Sequence, residues 1–219
     1  MNKELIVHYN PKSYSTESIK MVRTSIEHFK TSKSSSILIT SSVPGEGKSF
    51  ISSNLAIAFA QLNKKVILID CDLRKGRVHK IFDVDNLLGM SNLLVTNEVG
   101  KIEDFIIHTE YDKLDIIPRG KVPYNPSELL TYKISDIIIE DLKNKYDVVI
   151  VDGTPVIGLS DSIILSKKVD MTVLVSAINT TTTDMLISAK KSLESVECNL
   201  IGIVANKAPK NKSRYYEYK

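Results

Sequence analysis

Ser42-Val43-Pro44-Gly45-Glu46-Gly47-Lys48-Ser49 is the stretch that decides the fold of this 219-residue chain. It follows an apolar run at residues 36–40, which suits a buried strand, and it precedes residues 50–62, which have the composition of a helix. A strand, a glycine-containing turn, Lys-Ser and a helix form a phosphate-binding loop. In such a loop the backbone N–H groups converge on phosphate oxygens at the helix N-terminus. The sequence therefore predicts a nucleotide site, although the usual pattern has glycine where this chain has Ser42.

Three acidic residues stand at the ends of two other apolar runs. Asp70 ends one run and is followed by Asp72, a spacing that puts both on one side of an extended chain. Asp152 ends the other run. Ligands of open parallel sheets bind at the carboxyl ends of the strands, so we expect the three carboxylates to lie beside Lys48. Carboxylates there can hold Mg²⁺ directly or through water, and one can accept a hydroxyl proton.

Apolar runs that alternate with helical stretches indicate the fold class. The runs are rich in Val, Ile and Leu without polar alternation, which is typical of strands covered on both faces. Strands are predicted at residues 36–40, 66–70, 114–118, 147–152, 171–176 and 200–206. This order predicts a doubly wound α/β fold, a mostly parallel sheet flanked by helices.

The chain divides into three predicted parts. Residues 1–35 form an N-terminal part, with an irregular lead over 1–15 and an amphipathic helix over 17–31. Residues 36–207 form the nucleotide-binding domain, in which two further short helices are expected at 87–95 and 102–107. Residues 208–219 form a flexible tail, because 207–214 is basic and poor in apolar residues.

Composition excludes several classes of protein. A formal net charge of +3 is too small to indicate nucleic acid as a partner. The two cysteines, Cys71 and Cys198, have no metal-type spacing and suggest neither a disulfide framework nor a zinc site, which fits a reducing cytoplasm. No apolar run approaches the ~20 residues needed to cross a bilayer, so we expect any membrane role to depend on a partner.

The chain ends in Tyr215-Tyr216-Glu217-Tyr218-Lys219. A tyrosine cluster beside a nucleotide site suggests a phosphoryl donor and its own acceptor. The alternative is a short edge strand that packs its rings on the domain, and the basic segment before it favours the free tail.

These motifs together resemble the bacterial tyrosine kinases of capsule and exopolysaccharide biosynthesis, within the MinD- and ParA-like P-loop ATPases. The resemblance rests on the glycine loop, on Ile69-Asp70-Cys71-Asp72-Leu73-Arg74, on a third motif beginning at Asp152, and on the tyrosine tail. It implies an ATP-dependent protein-tyrosine kinase that autophosphorylates Tyr215, Tyr216 and Tyr218 in trans. ATP and Mg²⁺ are then the implied cofactors.

The resemblance also implies roles for single residues. Lys48 would hold the phosphates, and Asp70, with Lys48 and Asp72 in the catalytic set, would activate the attacking tyrosine hydroxyl. Ser49, Asp72 and Asp152 would hold Mg²⁺ or its waters. The implied nucleotide-binding residues are Pro44, Gly45, Glu46, Gly47, Lys48, Ser49, Phe50 and Asn206, the last of which would contact adenine.

The implied partners follow from the same family. They are further copies of the chain in a ring held by Glu17, Lys20 and Arg23, a separate transmembrane activator of the polysaccharide co-polymerase type, and a cognate tyrosine phosphatase. The protein would be cytoplasmic and recruited to the inner face of the cell membrane through the activator.

The chain departs from the family pattern at two places. The third motif reads Asp152-Gly153-Thr154-Pro155 where the family has Asp-Thr-Pro-Pro, so we expect a different shape after Asp152. Lys20 stands where the family's ring motif has arginine, and lysine cannot form arginine's bidentate fork.

Two alternatives stay open from the sequence. One is a ParA- or MinD-like ATPase switch, although those proteins have a signature lysine where this chain has Val43, and they lack the tyrosine tail. The other is a nucleotide-binding scaffold without catalysis, because binding and transfer use the same loop.

Overall fold

The computed structural model describes residues 3–96 and 98–209. Its helices are α1 (Ile6–Tyr9), α2 (Tyr14–Phe29), α3 (Lys48–Ala60), α4 (Val78–Phe82), α5 (Met90–Thr96), α6 (Pro126–Thr131), α7 (Lys133–Lys145), α8 (Asp161–Ser166) and α9 (Thr183–Glu194), with a 3-10 helix at Val99–Phe105. Its strands are β1 (Ser35–Ser41), β2 (Val66–Asp70), β3 (Ile107–His108), β4 (Leu114–Ile117), β5 (Val148–Pro155), β6 (Met171–Ala177) and β7 (Leu200–Asn206).

The strands described form one sheet in the order β3-β4-β2-β5-β1-β6-β7. Every neighbouring pair is parallel except β3 and β4, which are antiparallel. The doubly wound, mostly parallel fold predicted from the apolar runs is therefore confirmed. The two-residue β3 was not predicted, because two residues are too few to show a pattern.

The sheet has a core on each face because successive side chains of a strand point to opposite sides. In β1, Ile37 and Ile39 pack on the face covered by α2 and α3, and Leu38 packs on the face covered by α7 and α8. All of β2 and β5 is buried, which explains the apolar runs that precede Asp70 and Asp152. The central strands thus bring their carboxyl ends, and the loops that follow them, to one edge of the sheet.

The prediction of an irregular lead over residues 1–15 was wrong. Residues 6–9 form α1, and Val7 is fully buried in the core beside α3. Asn54 of α3 holds this segment, because its Oδ1 accepts from Val7 N at 3.0 Å and its Nδ2 donates to Glu4 O at 2.8 Å. The contacts depend on a residue almost fifty positions away, so no local pattern could indicate them.

The N-terminal helix also begins earlier than the apolar spacing predicts. Ser13 is the N-cap of α2, and its hydroxyl accepts a hydrogen bond from Thr16 N at 3.1 Å. Ile19 and Ile26 are buried as expected, but Phe29 at the end of the helix is 48% exposed. The two short helices expected between residues 87 and 107 are present as α5 and the 3-10 helix. No helix within residues 3–96 and 98–209 has the length and apolar character of a membrane span.

Candidate active site

The turn between β1 and α3 has the geometry of a phosphate-binding loop. Gly45 has a φ of 85° and Gly47 a φ of 98°, in the left-handed region that glycine enters without strain. Gly47 is the N-cap of α3, so Lys48 and Ser49 occupy the first turn of that helix. The N–H groups of a first turn have no partner within the helix and are available to an anion. Pro44 lies exposed at the loop, whereas Phe50 is half-buried against the core.

The end of β7 holds the outer side of this loop. Asn206 Nδ2 donates to Glu46 O at 2.8 Å, and Lys207 Nζ donates to Gly45 O at 2.7 Å. A Cβ at Gly47 would lie 2.1 Å from Asn206 Nδ2, so glycine is needed for this close approach. The residue expected at adenine therefore lies against the phosphate-binding loop.

The structure brings Lys48 together with the acids at the ends of β2 and β5. Asp70 and Asp152 are register partners in the two neighbouring strands. Lys48 Nζ lies 2.8 Å from Asp72 Oδ2 and 3.9 Å from Asp152 Oδ2. Ser52, one turn further along α3, donates to Asp152 Oδ1 at 3.0 Å. One ammonium is thus held between two carboxylates at the mouth of the loop.

Asp70 is covered by the turn that follows it. Its side chain is fully buried, and its oxygens accept from Asp72 N at 3.2 Å and Val78 N at 3.0 Å. A Cβ at Gly76 would lie 2.2 Å from Asp70 Oδ1, so the backbone of the following turn covers the carboxylate. Burial, followed by the charge of Asp152, raises the pKa of Asp70 to about 8.

The same surroundings shift the pKa values of Asp152 and Lys48. Burial raises the pKa of Asp152, against the opposing charge of Lys48. Burial alone would lower the pKa of Lys48, but the charges of Asp152 and Asp72 outweigh it and raise that pKa. When all are ionised, three carboxylates face one ammonium, and the surplus negative charge favours a cation.

The site fits Mg²⁺ bound with a nucleotide. Asp152 Oδ2 is buried without a hydrogen-bond partner, which is the state expected of an unused ligand atom. Mg²⁺ is commonly held by one or two carboxylates, with phosphate and water completing the shell. Ser49, Asp72 and Asp152 supply such a set. Within the described ranges, no group of three or more His, Cys, Asp or Glu side chains has the arrangement of a metal site.

The departure at the third motif has a local explanation. The backbone continues as β5 through Pro155 instead of entering a loop after Asp152. A Cβ at Gly153 would lie 2.4 Å from Ser162 Oγ and 2.8 Å from Leu38 Cδ1. Glycine therefore lets α8 pack closely on this end of the strand.

Three features near the site were not found from the sequence: the pair of Arg74 and Asp161, the burial of Glu46, and the bond from Ser52 to Asp152. Arg74 forms a bidentate pair with the fully buried Asp161, with distances of 2.9 Å and 3.2 Å. The Glu46 side chain is also fully buried and turns away from solvent. Ser52 could have been found, since it lies four residues after Lys48 on one helix. Asp161 gives no local signal, because it is 87 residues from Arg74.

The remaining predicted residues lie elsewhere or outside the described ranges. Glu17 and Lys20 form an exposed pair at 2.8 Å on α2, away from the loop. Arg23 turns inward, and its Nη1 donates to Ala58 O at 2.8 Å. Arg23 thus joins α2 to α3 within one protomer, a contact that the ring motif did not suggest. The tail tyrosines at 215, 216 and 218 lie outside the residues that the structure describes.

Comparisons with known proteins show which sequences this chain resembles. A family model described as an AAA domain matches residues 34–185. The tyrosine-protein kinase YwqD of Bacillus subtilis (strain 168) is 35% identical over 219 residues, which cover 100% of this chain and 92% of that protein. The tyrosine-protein kinase etk of Escherichia coli (strain K12) is 35% identical over 95% of this chain but only 29% of its own length. A putative tyrosine-protein kinase in the cps region of Klebsiella pneumoniae is 34% identical over 98% of this chain and 30% of its own length.

Solved structures give the same result. The chimerical protein CapA2B2 matches with a TM-score of 0.89 at 37% identity, covering 94% of this chain and 91% of that one. The kinase domain of Escherichia coli tyrosine kinase ETK matches with a TM-score of 0.90 at 32% identity, covering 98% and 84%. The septum site-determining protein MinD from Pyrococcus horikoshii OT3 matches with a TM-score of 0.68 at 22% identity, covering 82% and 72%, and supports the fold alone.

Proposed function

The chain belongs to the bacterial tyrosine-protein kinases and is an ATP-dependent protein-tyrosine kinase; we propose that it phosphorylates its own C-terminal tyrosines between subunits. The observation that carries the proposal is Lys48 held between Asp72 and Asp152 beside the phosphate-binding loop. The proposed outcome is regulation of capsular or exopolysaccharide synthesis and export. Support for that outcome comes from the family resemblance and from the cps-region relative.

The nucleotide would bind along the glycine loop. Backbone N–H groups of residues 45–50 would face the phosphates, with Lys48 as the point charge near the β- and γ-phosphates. In the arrangement described here that ammonium contacts acids, so it must turn from Asp72 towards the incoming phosphates. Asn206 would contact adenine, since an amide can donate and accept at once.

Ser49, Asp72 and Asp152 are the proposed Mg²⁺ ligands, directly or through water. When bound, the metal neutralises negative charge on the transferred phosphoryl group. The chain's own contribution is to hold these three groups beside Lys48, with Asp152 fixed by its bond from Ser52.

Asp70 is the proposed acceptor of the tyrosine hydroxyl proton. Burial and the charge of Asp152 raise the pKa of Asp70 to about 8, which makes its ionised form a stronger base for the hydroxyl proton. The ionised fraction that can act as the base grows as pH rises through that value. The turn through Gly76 covers Asp70, so we infer that this turn opens when a tyrosine enters.

The proposed acceptors are Tyr215, Tyr216 and Tyr218. The tail leaves the described structure just after Asn206 and Lys207, which contact the phosphate-binding loop. A short tether that starts at its own active site is poorly placed for in-line attack there, whereas the tail of a neighbour enters freely. Basic residues of the tail at 210, 212 and 214 would favour docking at a carboxylate-lined site.

Assembly into a closed ring through Glu17, Lys20 and Arg23 is part of the same proposal. Head-to-tail contacts ordinarily close into cyclic assemblies. Each phosphotyrosine adds about −1.5 to −2 charges, so several would reverse the charge of the tail and oppose its re-entry. Phosphorylation would then loosen the ring.

The proposed division of the chain follows these roles. Residues 1–35 would serve oligomerisation, residues 36–207 catalysis, and residues 208–219 would be the acceptor tail. We further propose a separate transmembrane activator that recruits the kinase to the inner face of the membrane, and a cognate phosphatase that resets it. Nucleic acid has no part in this scheme.

A mixing experiment tests transfer between subunits. A Lys48→Met protein is incubated with an active protein whose three tail tyrosines are Phe, in ATP and Mg²⁺, and phosphotyrosine is mapped by mass spectrometry. Phosphate on the tail of the Lys48→Met protein is the expected result. An unlabelled tail in this mixture, with a labelled tail in the wild type, would contradict transfer in trans. An unlabelled tail in both would contradict the tail as acceptor.

A further inference from the structure

Glu46 has a buried side chain that joins the phosphate-binding loop to a neighbouring segment. Its Oε2 accepts from Val43 N at 2.8 Å, within the loop itself. Its Oε1 accepts from Ala177 N at 3.0 Å, at the end of β6, and from the Thr181 hydroxyl. Both oxygens are therefore used, and all three donors are neutral groups.

The same residue is also held through its backbone. Glu46 O accepts from Asn206 Nδ2 at 2.8 Å, so contacts from the ends of β6 and β7 meet at one residue of the loop. Gly45 and Gly47 flank Glu46, and glycine loses more conformational freedom on ordering than any other residue. The loop would be mobile by composition, and these bonds restrict it.

A buried carboxylate is costly unless its hydrogen bonds are satisfied. Here the cost is offset by three donors, two of which are backbone N–H groups. Bonds from N–H groups to a carboxylate are stronger than those between neutral groups. An apolar side chain could fill this space, but it could not bond to both Val43 N and Ala177 N.

We propose that Glu46 is a positioning residue that keeps the phosphate-binding loop in its nucleotide-ready form and couples it to the turn at residues 177–181. The side chain turns away from the phosphates and acts through the backbone of the loop. The inference rests on the nucleotide site proposed above. Because an ordered loop has less entropy to lose on binding, loss of this side chain should weaken nucleotide binding more than it slows transfer at saturation.

Glu46→Gln is the direct test. Glutamine has nearly the same size, but its amide nitrogen would face one of the N–H donors. Thr181→Val removes only the hydroxyl donor and leaves both backbone bonds. Asp170→Asn is the matched control, since Asp170 Oδ2 accepts from Ser36 N at 2.7 Å and Ser36 Oγ at 3.0 Å at the other end of β1.

Calorimetric titration with Mg²⁺·ADP and steady-state kinetics in ATP separate the possibilities. For Glu46→Gln we expect the Kd for ADP and the KM for ATP to rise about 10-fold, with kcat changed less than about threefold. Thr181→Val should also raise the Kd for ADP and the KM for ATP, but by a smaller factor. Asp170→Asn should lower the melting temperature without changing the Kd.

Three results would overturn the inference. One is an unchanged Kd in a folded Glu46→Gln protein. Another is a loss of ADP affinity in Asp170→Asn as large as that in Glu46→Gln, when the two variants lose the same melting temperature. That result would mean that general stability controls binding. If Glu46→Gln does not fold, the Kd of Thr181→Val decides, and an unchanged value there counts against the inference. Failure of the wild type to bind ADP would instead contradict the nucleotide site itself.

Discussion

Replacing Lys48 by Met separates the catalytic and structural roles of one ammonium. Methionine keeps most of the length of the side chain but removes the charge that lies 2.8 Å from Asp72 and 3.9 Å from Asp152. For transfer, the loss of a contact to the charge developing on the phosphoryl group is expected to cost ~2.7–4 kcal/mol, or a factor of about 10²–10³ in rate. Phosphotyrosine on the tail should fall by that factor.

The same change leaves two buried carboxylates without their cation. Removing one partner of a buried ion pair typically costs about 3–5 kcal/mol. The cost should be smaller here at low pH, because burial already raises the pKa of Asp152 and this acid can bind a proton when its cation is lost. A folded-state pKa above the unfolded value gives stability that is lost as pH rises through the folded pKa. We therefore expect Lys48→Met to be destabilised more at pH 8 than at pH 6.

Two measurements on the same variant check both roles. Time courses of tail phosphorylation give the rate, and urea unfolding at the two pH values gives the free energy of unfolding. Lys143→Met is the control, since Lys143 also lies between two acids, at 3.1 Å from Glu140 and 2.9 Å from Asp170, away from the loop. A wild-type rate in Lys48→Met, or an equal loss of rate in Lys143→Met, would refute the reasoning.

Three further predictions follow from single contacts. Gly76→Ala would drive a Cβ into the Asp70 carboxylate, so we expect about 1–3 kcal/mol of destabilisation and slower transfer, and unchanged kinetics would count against Asp70 as the base. Burial alone would raise the pKa of Asp170, but its hydrogen-bond partners, Ser36 foremost, outweigh burial and lower that pKa. The ionised Asp170 therefore stabilises the fold above the usual carboxyl pKa, and this contribution is lost as pH falls. In urea unfolding, Asp170→Asn should be less stable than the wild type at pH 7, and the two should converge near pH 2. Glu17→Lys reverses an exposed charge whose ion pair with Lys20 contributes little to stability, so the melting temperature should change little. The same variant should form less of the oligomer in light scattering. A wild type that stays monomeric with its activator would rule out the ring.

The fold could be predicted because its strongest signal is local. β2 and β5 are buried along their whole length, and strands covered on both faces are apolar up to the carboxyl ends, where Asp70 and Asp152 lie. Strands of this kind that alternate with helices allow few other arrangements than a parallel sheet. α1 could not be predicted in this way, since Val7 is buried through bonds to Asn54 and not through a periodic face.

The core of the candidate site was predictable for a related reason. Parallel strands end at one edge, so Asp70 and Asp152 had to lie near the loop that carries Lys48 once their strands were identified. The register partnership of the two aspartates agrees with that rule. Arg74 and Asp161 illustrate its limit, because their pairing depends on how α8 packs and not on a strand end.

Glu46 shows most clearly what a local motif leaves open. Its position between two glycines identifies it as part of the loop, and from that alone a contact with the nucleotide is the natural expectation. The direction of its side chain depends instead on where β6 ends, and β6 lies beside β1 only after the chain has crossed the sheet. Ala177 and Thr181 are 131 and 135 residues away. A motif thus identifies which backbone surrounds a ligand, whereas the contacts that keep that backbone in shape depend on the tertiary fold. The Glu46→Gln variant measures how much nucleotide binding depends on these contacts.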